Sequence, residues 1–205
     1  LVTVSGMSYR IHDYTFLFDT QSAPQAERVY RSAMSCFEID ENFSICKFRS
    51  KGRAVRIPSG IRSIESEVFK DALNLEEIEI PKSVRVIGGR AFGGTKWLEK
   101  RRAEAEMVIV NDVLIDGKSC QGAVVIPEHV HTVSGWAFAD NDAIVEILFT
   151  PTKTRLEPHA FRNCINLKSA MTTDGHTYQL TRLSDPAVDR SEERRVGKEC
   201  RSRWS

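Results

Sequence analysis

Two histidines at alternate positions are the first residues here with the spacing for chemistry: His129 and His131 flank Val130. In an extended strand both imidazoles leave the same face, where their nitrogens could share a metal ion. Two ligands without a nearby third make a weak site, so a solvated pair is the simpler reading. The five cysteines form no CxxC pair and no regular series, which argues against both a zinc module and a dense disulfide framework. Cys164, in Phe161-Arg-Asn-Cys-Ile-Asn-Leu167, reads as a small packed residue rather than a nucleophile. Cys36, Cys46 and Cys120 have no His and acid framework with them, and spacing alone does not decide whether any two are bridged. Asn42-Phe43-Ser44 fits the glycosylation pattern, which matters only in a eukaryotic secreted chain. Gly88-Gly89 and Gly93-Gly94 are explained by tight corners, since no strand, Gly-rich loop and helix with a P-loop lysine surrounds them. No catalytic residue, metal ligand set or cofactor is expected.

The elements that carry these residues come from an ordinary globular composition. Of 205 residues, 41% are apolar and 28% charged, which suits one domain or a small pair and excludes disorder of the whole chain. No run approaches the roughly 18 apolar residues of a membrane span. A formal charge of +1 gives no electrostatic case for nucleic acid. The run Arg190 to Ser205 resembles the conceptual translation of a short-read sequencing adapter. Its six basic and three acidic side chains show no period of 2 or 3.6, so it has no face to bury. Without it the formal charge becomes −2. A chain that opens on Leu1 and closes on such a tail reads as a gene fragment, which leaves its compartment open.

A repeat governs the rest. Phe69, Phe92, Phe138 and Phe161 are separated by 23, 46 and 23 residues, and Ile57-Pro58, Ile80-Pro81 and Ile126-Pro127 by 23 and 46. Five residues before each Phe stands Ile64, Ile87, Val133 or Leu156, and six after it Leu75, Leu98, Ile144 or Leu167. The unit is thus L-x-x-I-x-I-P-x-x-V-x-x-I-x-x-x-A-F: two short strand-like pieces of alternating β-branched residues, the first stopped by Pro. The x-x-A-F stretch predicts one short helical or 3₁₀ turn whose Phe fills the interior. A coil this small buries its apolar face only against the next coil, so a right-handed stack with the four rings in one buried column is expected.

This pattern resembles the BspA-like type of leucine-rich repeat, and Ile80-Pro81-Lys-Ser-Val84-Arg-Val-Ile87-Gly88-Gly-Arg-Ala91-Phe92 carries it most fully. The resemblance covers about Arg53 to Met171. It departs in the last unit, where Phe149-Thr-Pro151 has one extra residue and Lys153 takes an apolar slot, so a bulge is expected there. The resemblance implies a β-rich solenoid that binds other macromolecules, often at a cell surface, and it implies no catalytic residues.

The double interval holds a helix-favouring run, Trp97 to Glu106, then Met107 to Lys118, which reads as a hairpin turning at Asn111-Asp112. Phe37 to Phe48 has a similar pattern. Both hairpins lead into an I-P strand, so the second reads as the first module inserted again, and Ala23 to Cys36 reads as a helix capping the first coil. The organisation expected is an N-terminal cap and entry hairpin over 1–52, the solenoid over 53–171, a truncated repeat end over 172–189 and a non-native tail over 190–205.

Residues between the inward positions of the first strands should form neighbouring outward rungs: Ala54 and Arg56, Glu77 and Glu79, Ala123 and Val125, Glu146 and Leu148, Ser169 and Met171. The second strands should display Arg62, Arg85 and His131. From the acidic and apolar ladder, Glu77, Glu79, Val125, Glu146, Leu148 and Met171 are the candidate binding residues. The function expected is a non-catalytic protein-binding or adhesion module acting on a protein or other cell-surface macromolecule. The alternative is the repeat region of a larger surface enzyme whose catalytic domain lies elsewhere. Ligand and oligomeric state do not follow from the residues.

Overall fold

The computed structural model describes residues 36–150 and 154–173 with Gly175, and three short strands near the start. Those strands, β1 (Val2–Val4), β2 (Met7–Tyr9) and β3 (Phe16–Leu17), form a small sheet in which β1 pairs antiparallel with β2 and parallel with β3. Almost all of the helix expected over Ala23 to Cys36, the bulge at Pro151 to Lys153 and the tail from Arg190 lie outside the described residues. The chain divides into two compact units, Leu1–Lys100 and Arg101–Ser205.

The first unit's repeat region opens with a hairpin, β4 (Phe37–Ile39) against β5 (Ser44–Phe48), with Phe37 opposite Phe48. Asp40 shapes its loop: one carboxylate oxygen accepts from the backbone N–H of Asn42 and of Ser44 at 2.9 and 2.8 Å, the local bonding that suits Asp to turns. Each coil then yields two strands. The I-P strands β6 (Ala54–Arg56) and β8 (Glu77–Glu79) pair in parallel, and so do the second strands β7 (Ser63–Ile64) and β9 (Val86–Ile87). The hairpin is hydrogen-bonded to the second set, giving the order β4-β5-β7-β9, while β6-β8 is a separate sheet.

The second unit repeats this plan. The helix α1 (Lys96–Glu104) occupies the predicted helical run and begins in the first unit, and β10 (Val108–Val110) and β11 (Val113–Asp116) follow it. Asn111 and Asp112 make the two-residue turn between them with φ of 47° and 66°, the doubly left-handed turn that matches strand twist in a tight hairpin. With β13 (Thr132–Val133) and β15 (Arg155–Leu156) the hairpin forms the sheet β10-β11-β13-β15. The I-P strand β12 (Gly122–Ile126), with β14 (Ile144–Phe149) and β16 (Ser169–Thr172), forms a parallel three-stranded sheet. Both hairpins therefore precede an I-P strand in sequence while extending the other sheet of their coil.

The x-x-A-F stretch is not a helical turn. The residue two before each Phe is left-handed, with φ of 61° at Glu67, 55° at Arg90, 65° at Trp136 and 61° at His159. Short i to i−3 bonds flank it, such as Ala91 N–H to Gly88 O at 3.2 Å and Gly93 N–H to Arg90 O at 2.9 Å. Coil-to-coil bonds hold the strained residue in place: Phe69 N–H donates to Ala91 O, and Phe138 N–H to Ala160 O, both at 2.8 Å. A non-glycine left-handed residue costs of order 1 kcal/mol and persists where its surroundings over-determine it. Gly88 has a different cause. A Cβ there would lie 2.4 Å from the backbone nitrogen of Ser66 in the coil below, so only glycine lets the two backbones approach.

The phased rings are all interior, at 2% exposure or less. Within the first unit Phe69 stacks on Phe92 with centroids 5.2 Å apart, and within the second Phe138 stacks on Phe161 at 5.0 Å. Ile57, Ile61, Ile64, Leu75 and Ile87 surround the first pair's coils, and Ile126, Val130, Val133, Ile144 and Ile147 the second's, each buried to 2% or less. A phased apolar position every 23 residues thus becomes a core only by stacking.

Candidate binding surface

The outward rungs expected from the repeat are in register within each sheet. Ala54 faces Glu77 and Arg56 faces Glu79 across β6 and β8. Across β12, β14 and β16, Ala123, Glu146 and Ser169 form one row, and Val125, Leu148 and Met171 the next. The six candidate residues are not gathered on one sheet: Glu77 and Glu79 belong to the first unit, Val125, Glu146, Leu148 and Met171 to the second. Glu77, Glu79 and Val125 are exposed, whereas Glu146, Leu148 and Met171 are half-buried, because each is flanked by a neighbouring strand's side chain in its row.

The first unit's sheet pairs most of its own charges, Glu77 opposite Ala54 excepted. Arg56 Nε donates to Glu79 Oε2 at 2.6 Å, and Arg53 Nη2 to Glu76 Oε2 at 2.6 Å. Lys96 Nζ adds a bond to Glu76 Oε1 at 3.0 Å. The Arg53 guanidinium, and then Lys96, hold the Glu76 carboxyl below its usual range. Glu67 and Arg90, the left-handed residues two before Phe69 and Phe92, also pair, at 3.9 Å. Arg53 to Glu76, Arg56 to Glu79 and Glu67 to Arg90 each span one period, so opposite charges 23 apart were the signal for these pairs, and the sequence reading passed over it.

In the second unit the same positions are uncharged or aromatic. Val125 is 51% exposed and stands opposite Leu148. Glu146 accepts a hydrogen bond from Ser169 Oγ at 3.0 Å. At the left-handed corner Trp136 stacks on His159 with centroids 4.6 Å apart, and the Arg162 guanidinium sits 4.8 Å from the indole centre, a cation–π arrangement.

The other sequence candidates resolve into structural roles. Val130 is fully buried, and His129 and His131 are exposed on either side of it. Arg62 and Arg85 are exposed as expected. Cys36, Cys46, Cys120 and Cys164 form no disulfide among the described residues. Burial pushes both Cys120 and Cys164 up to about 11, so they are protonated at neutral pH and poor nucleophiles. Cys164 donates to Phe138 O at 3.1 Å, and Cys120 to Glu106 O at 3.4 Å. Asp40, Cys46 and Glu65 bring ligand-type atoms within 4.8 Å of one another. The Asp40 carboxylate is already committed to its turn, and Cys46 Sγ donates to Glu65 at 3.5 Å.

Two features of the second unit lay beyond the sequence reading. Asn141 is buried, and its amide donates to the carbonyls of Gly117, Lys118 and Cys120 at 3.2, 3.3 and 2.9 Å while its oxygen accepts from Ala143 N–H. Asp116, 4% exposed, is held by Arg102 through two bonds of 2.9 and 2.5 Å. Asn141 falls where the other coils have Ala72, Thr95 and Cys164, and an amide in a slot otherwise held by small residues was its only signal.

No helix among the described residues is long and apolar enough to cross a membrane. No curated protein matches the chain significantly. Among solved structures, a leucine rich cell surface protein from Faecalibacterium prausnitzii A2-165 is similar at 23% identity over 72% of this chain and 40% of its own, with a TM-score of 0.39. A leucine-rich repeat protein from Eubacterium ventriosum ATCC 27560 is similar at 20% identity over 66% of this chain and 37% of its own, with a TM-score of 0.33. The leucine rich repeat protein of T. pallidum is similar at 15% identity over 78% of this chain and 93% of its own, with a TM-score of 0.36. The chain therefore spans about two fifths of the length of the first two. A family model, the BspA type leucine rich repeat region, matches six copies over residues 39–171. With that match on the 23-residue coils described above, the chain belongs to the BspA type leucine rich repeat family.

Proposed function

We propose that the chain is a non-catalytic protein-binding module, acting at a cell surface through the outward faces of its parallel I-P sheets, with Glu77, Glu79, Val125, Glu146, Leu148 and Met171 as contact residues. The observation that carries this reading is the row Val125, Leu148, Met171, whose in-register side chains line up on the solvent side of a sheet whose other side is core. A soluble surface has no need of an aligned apolar row, and such rows mark contact sites more often than scattered exposed residues do. Repeat proteins bury their phased residues in stacking and leave the outward positions free for partners. The reading is tested with a partner captured by the wild-type chain and then identified and purified. The triple variant Glu77→Lys, Glu79→Lys, Glu146→Lys, together with Leu148→Glu, should weaken that complex at least tenfold with an unchanged circular dichroism spectrum. A partner that binds both variants as tightly as wild type would place its contact elsewhere and reject the reading.

A further inference from the structure

The two I-P sheets share one register and differ in how their outward positions are satisfied, and that difference narrows the partner. In β6-β8 the rung Arg56–Glu79 closes on itself as an ion pair, and Glu76 is held by Arg53 and Lys96. A charged group approaching Glu76 or Glu79 would have to displace a bonded neighbour, and Glu77, the counterpart of Glu146, lies next to that ion pair rather than next to an apolar row. In β12-β14-β16 the row Val125, Leu148, Met171 offers apolar surface, and the adjacent row offers Glu146, whose Oε1 accepts from Ser169. A carboxylate has about four acceptor directions, so a single hydroxyl donor leaves room for a cation.

We infer that this sheet takes an extended polypeptide segment carrying a bulky apolar side chain and, two residues away, a lysine or arginine. This rests on the protein-binding reading above and specifies its ligand. The spacing follows from strand geometry. Glu146 and Leu148 are two residues apart on β14, so their side chains leave the same face roughly 6.6 Å apart. Residues i and i+2 of an extended partner show the same period and the same face, so its apolar group meets the Val125–Leu148–Met171 row as its cation meets Glu146. A spacing of one would turn the cation away from the sheet. Charge complementarity fixes the sign, and the partially exposed setting makes the charged contact salt-sensitive.

The test uses the whole chain and an array of synthetic twelve-residue peptides on a Gly-Ser background. Each carries Leu, Trp or Ala at one position and Lys, Glu or Ala one or two residues away, in both orders. The expected result is that Leu or Trp with Lys at spacing two binds about tenfold more strongly than the Glu, the Ala or the spacing-one versions. Leu148→Glu should abolish the signal, and Glu146→Lys should reverse the preference to Glu-bearing peptides. Wild-type and variant chains should share one circular dichroism spectrum, and Glu146→Gln, which keeps size and removes charge, serves as a second variant should Glu146→Lys fold poorly. Equal binding of the charge or spacing variants, or no binding by any peptide, overturns the inference. Signal lost in Glu77→Lys with Glu79→Lys but kept in Glu146→Lys and Leu148→Glu overturns this inference alone, because binding would then lie on the first unit's sheet. Peptide binding that survives every one of these variants overturns both readings.

Discussion

Phe69 and Phe138 stand 69 residues apart, three periods, and the regions around them are two copies of one backbone plan built with different chemistry. In the first, aromatic rings close the end of the stack: Phe48 lies 4.8 Å from Phe69 and 5.4 Å from Phe37, and Phe92 lies 4.8 Å from Trp97. In the second, the residue matching Phe48 is Gly117, and a Cβ there would lie 2.1 Å from a ring carbon of Phe138. Room for the ring comes from the absent side chain, and the polar groups of the turn are gathered by Asn141 and Asp116. The difference teaches that this repeat constrains which positions point inward, while leaving each copy free to fasten its end with rings or with hydrogen bonds.

The largest effect should come from the shared part of the plan. Phe138→Ala and Phe92→Ala each leave a cavity between coils and should each cost about 3–5 kcal/mol in urea unfolding. Loss of much less than that at either would mean the coil below can collapse into the space, which stacked backbones bonded at 2.8 Å resist. The two fastenings should separate at the next step. Asn141→Ala strands the carbonyls of Gly117, Lys118 and Cys120, and should cost about 1–3 kcal/mol. The reciprocal Ala72→Asn puts an amide into a unit that has Phe48 where the second has Gly117, and should not stabilise the first unit. Gain of stability there would show that the polar fastening is general to the repeat.

How far this was legible in the sequence follows from what a period can and cannot encode. Phase identifies inward positions, so Phe69, Phe92, Phe138 and Phe161, the apolar residues before them, the rung register and the hairpin turn at Asn111-Asp112 were all readable. Backbone sign was not. Glu67, Arg90, Trp136 and His159 share a left-handed conformation with none of the Gly or Asn that announces one, because bonds with a neighbouring coil enforce it. The binding candidates were readable as outward positions. Their division between two sheets, the closure of Glu79 on Arg56 and the half-burial of Glu146 and Leu148 depend on neighbours that only folding supplies.

A pH dependence should distinguish the second unit's buried thiols. Cys120 and Cys164 rise from an ordinary 9.0 to about 11 in the folded state, chiefly by desolvation. A folded value above the unfolded one means the folded chain holds these protons longer. The stability from neutral burial is therefore complete below about pH 9 and is lost as pH climbs towards about 11. Urea midpoints measured at pH 8, 9.5 and 11, values chosen around that window, should fall more steeply for wild type than for the double variant Cys120→Ala, Cys164→Ala. Parallel curves would mean the thiols reach water before the chain unfolds.

The smallest effect on stability should accompany a large one on binding. Val125→Arg with Leu148→Glu rewrites a second-unit rung in the first unit's manner, since these residues are paired in register just as Arg56 and Glu79 are. Cross-strand opposite charges contribute about 0.2–1 kcal/mol and exposed ion pairs about 0–1, so the new pair should offset most of the apolar contact it replaces and leave stability within about 1 kcal/mol of wild type. Affinity for an apolar and basic peptide should nevertheless disappear, because the row it would cover has become a self-satisfied pair. The reverse exchange, Arg56→Val with Glu79→Leu, opens an apolar rung next to Glu77 and should create weak affinity for the same peptides on the first unit's sheet. Because the two exchanges alter only outward side chains, a loss above about 2 kcal/mol in the first would show that Val125 and Leu148 serve the core more than the surface. Retained peptide affinity at unchanged stability would instead show that the two sheets differ in composition without differing in function.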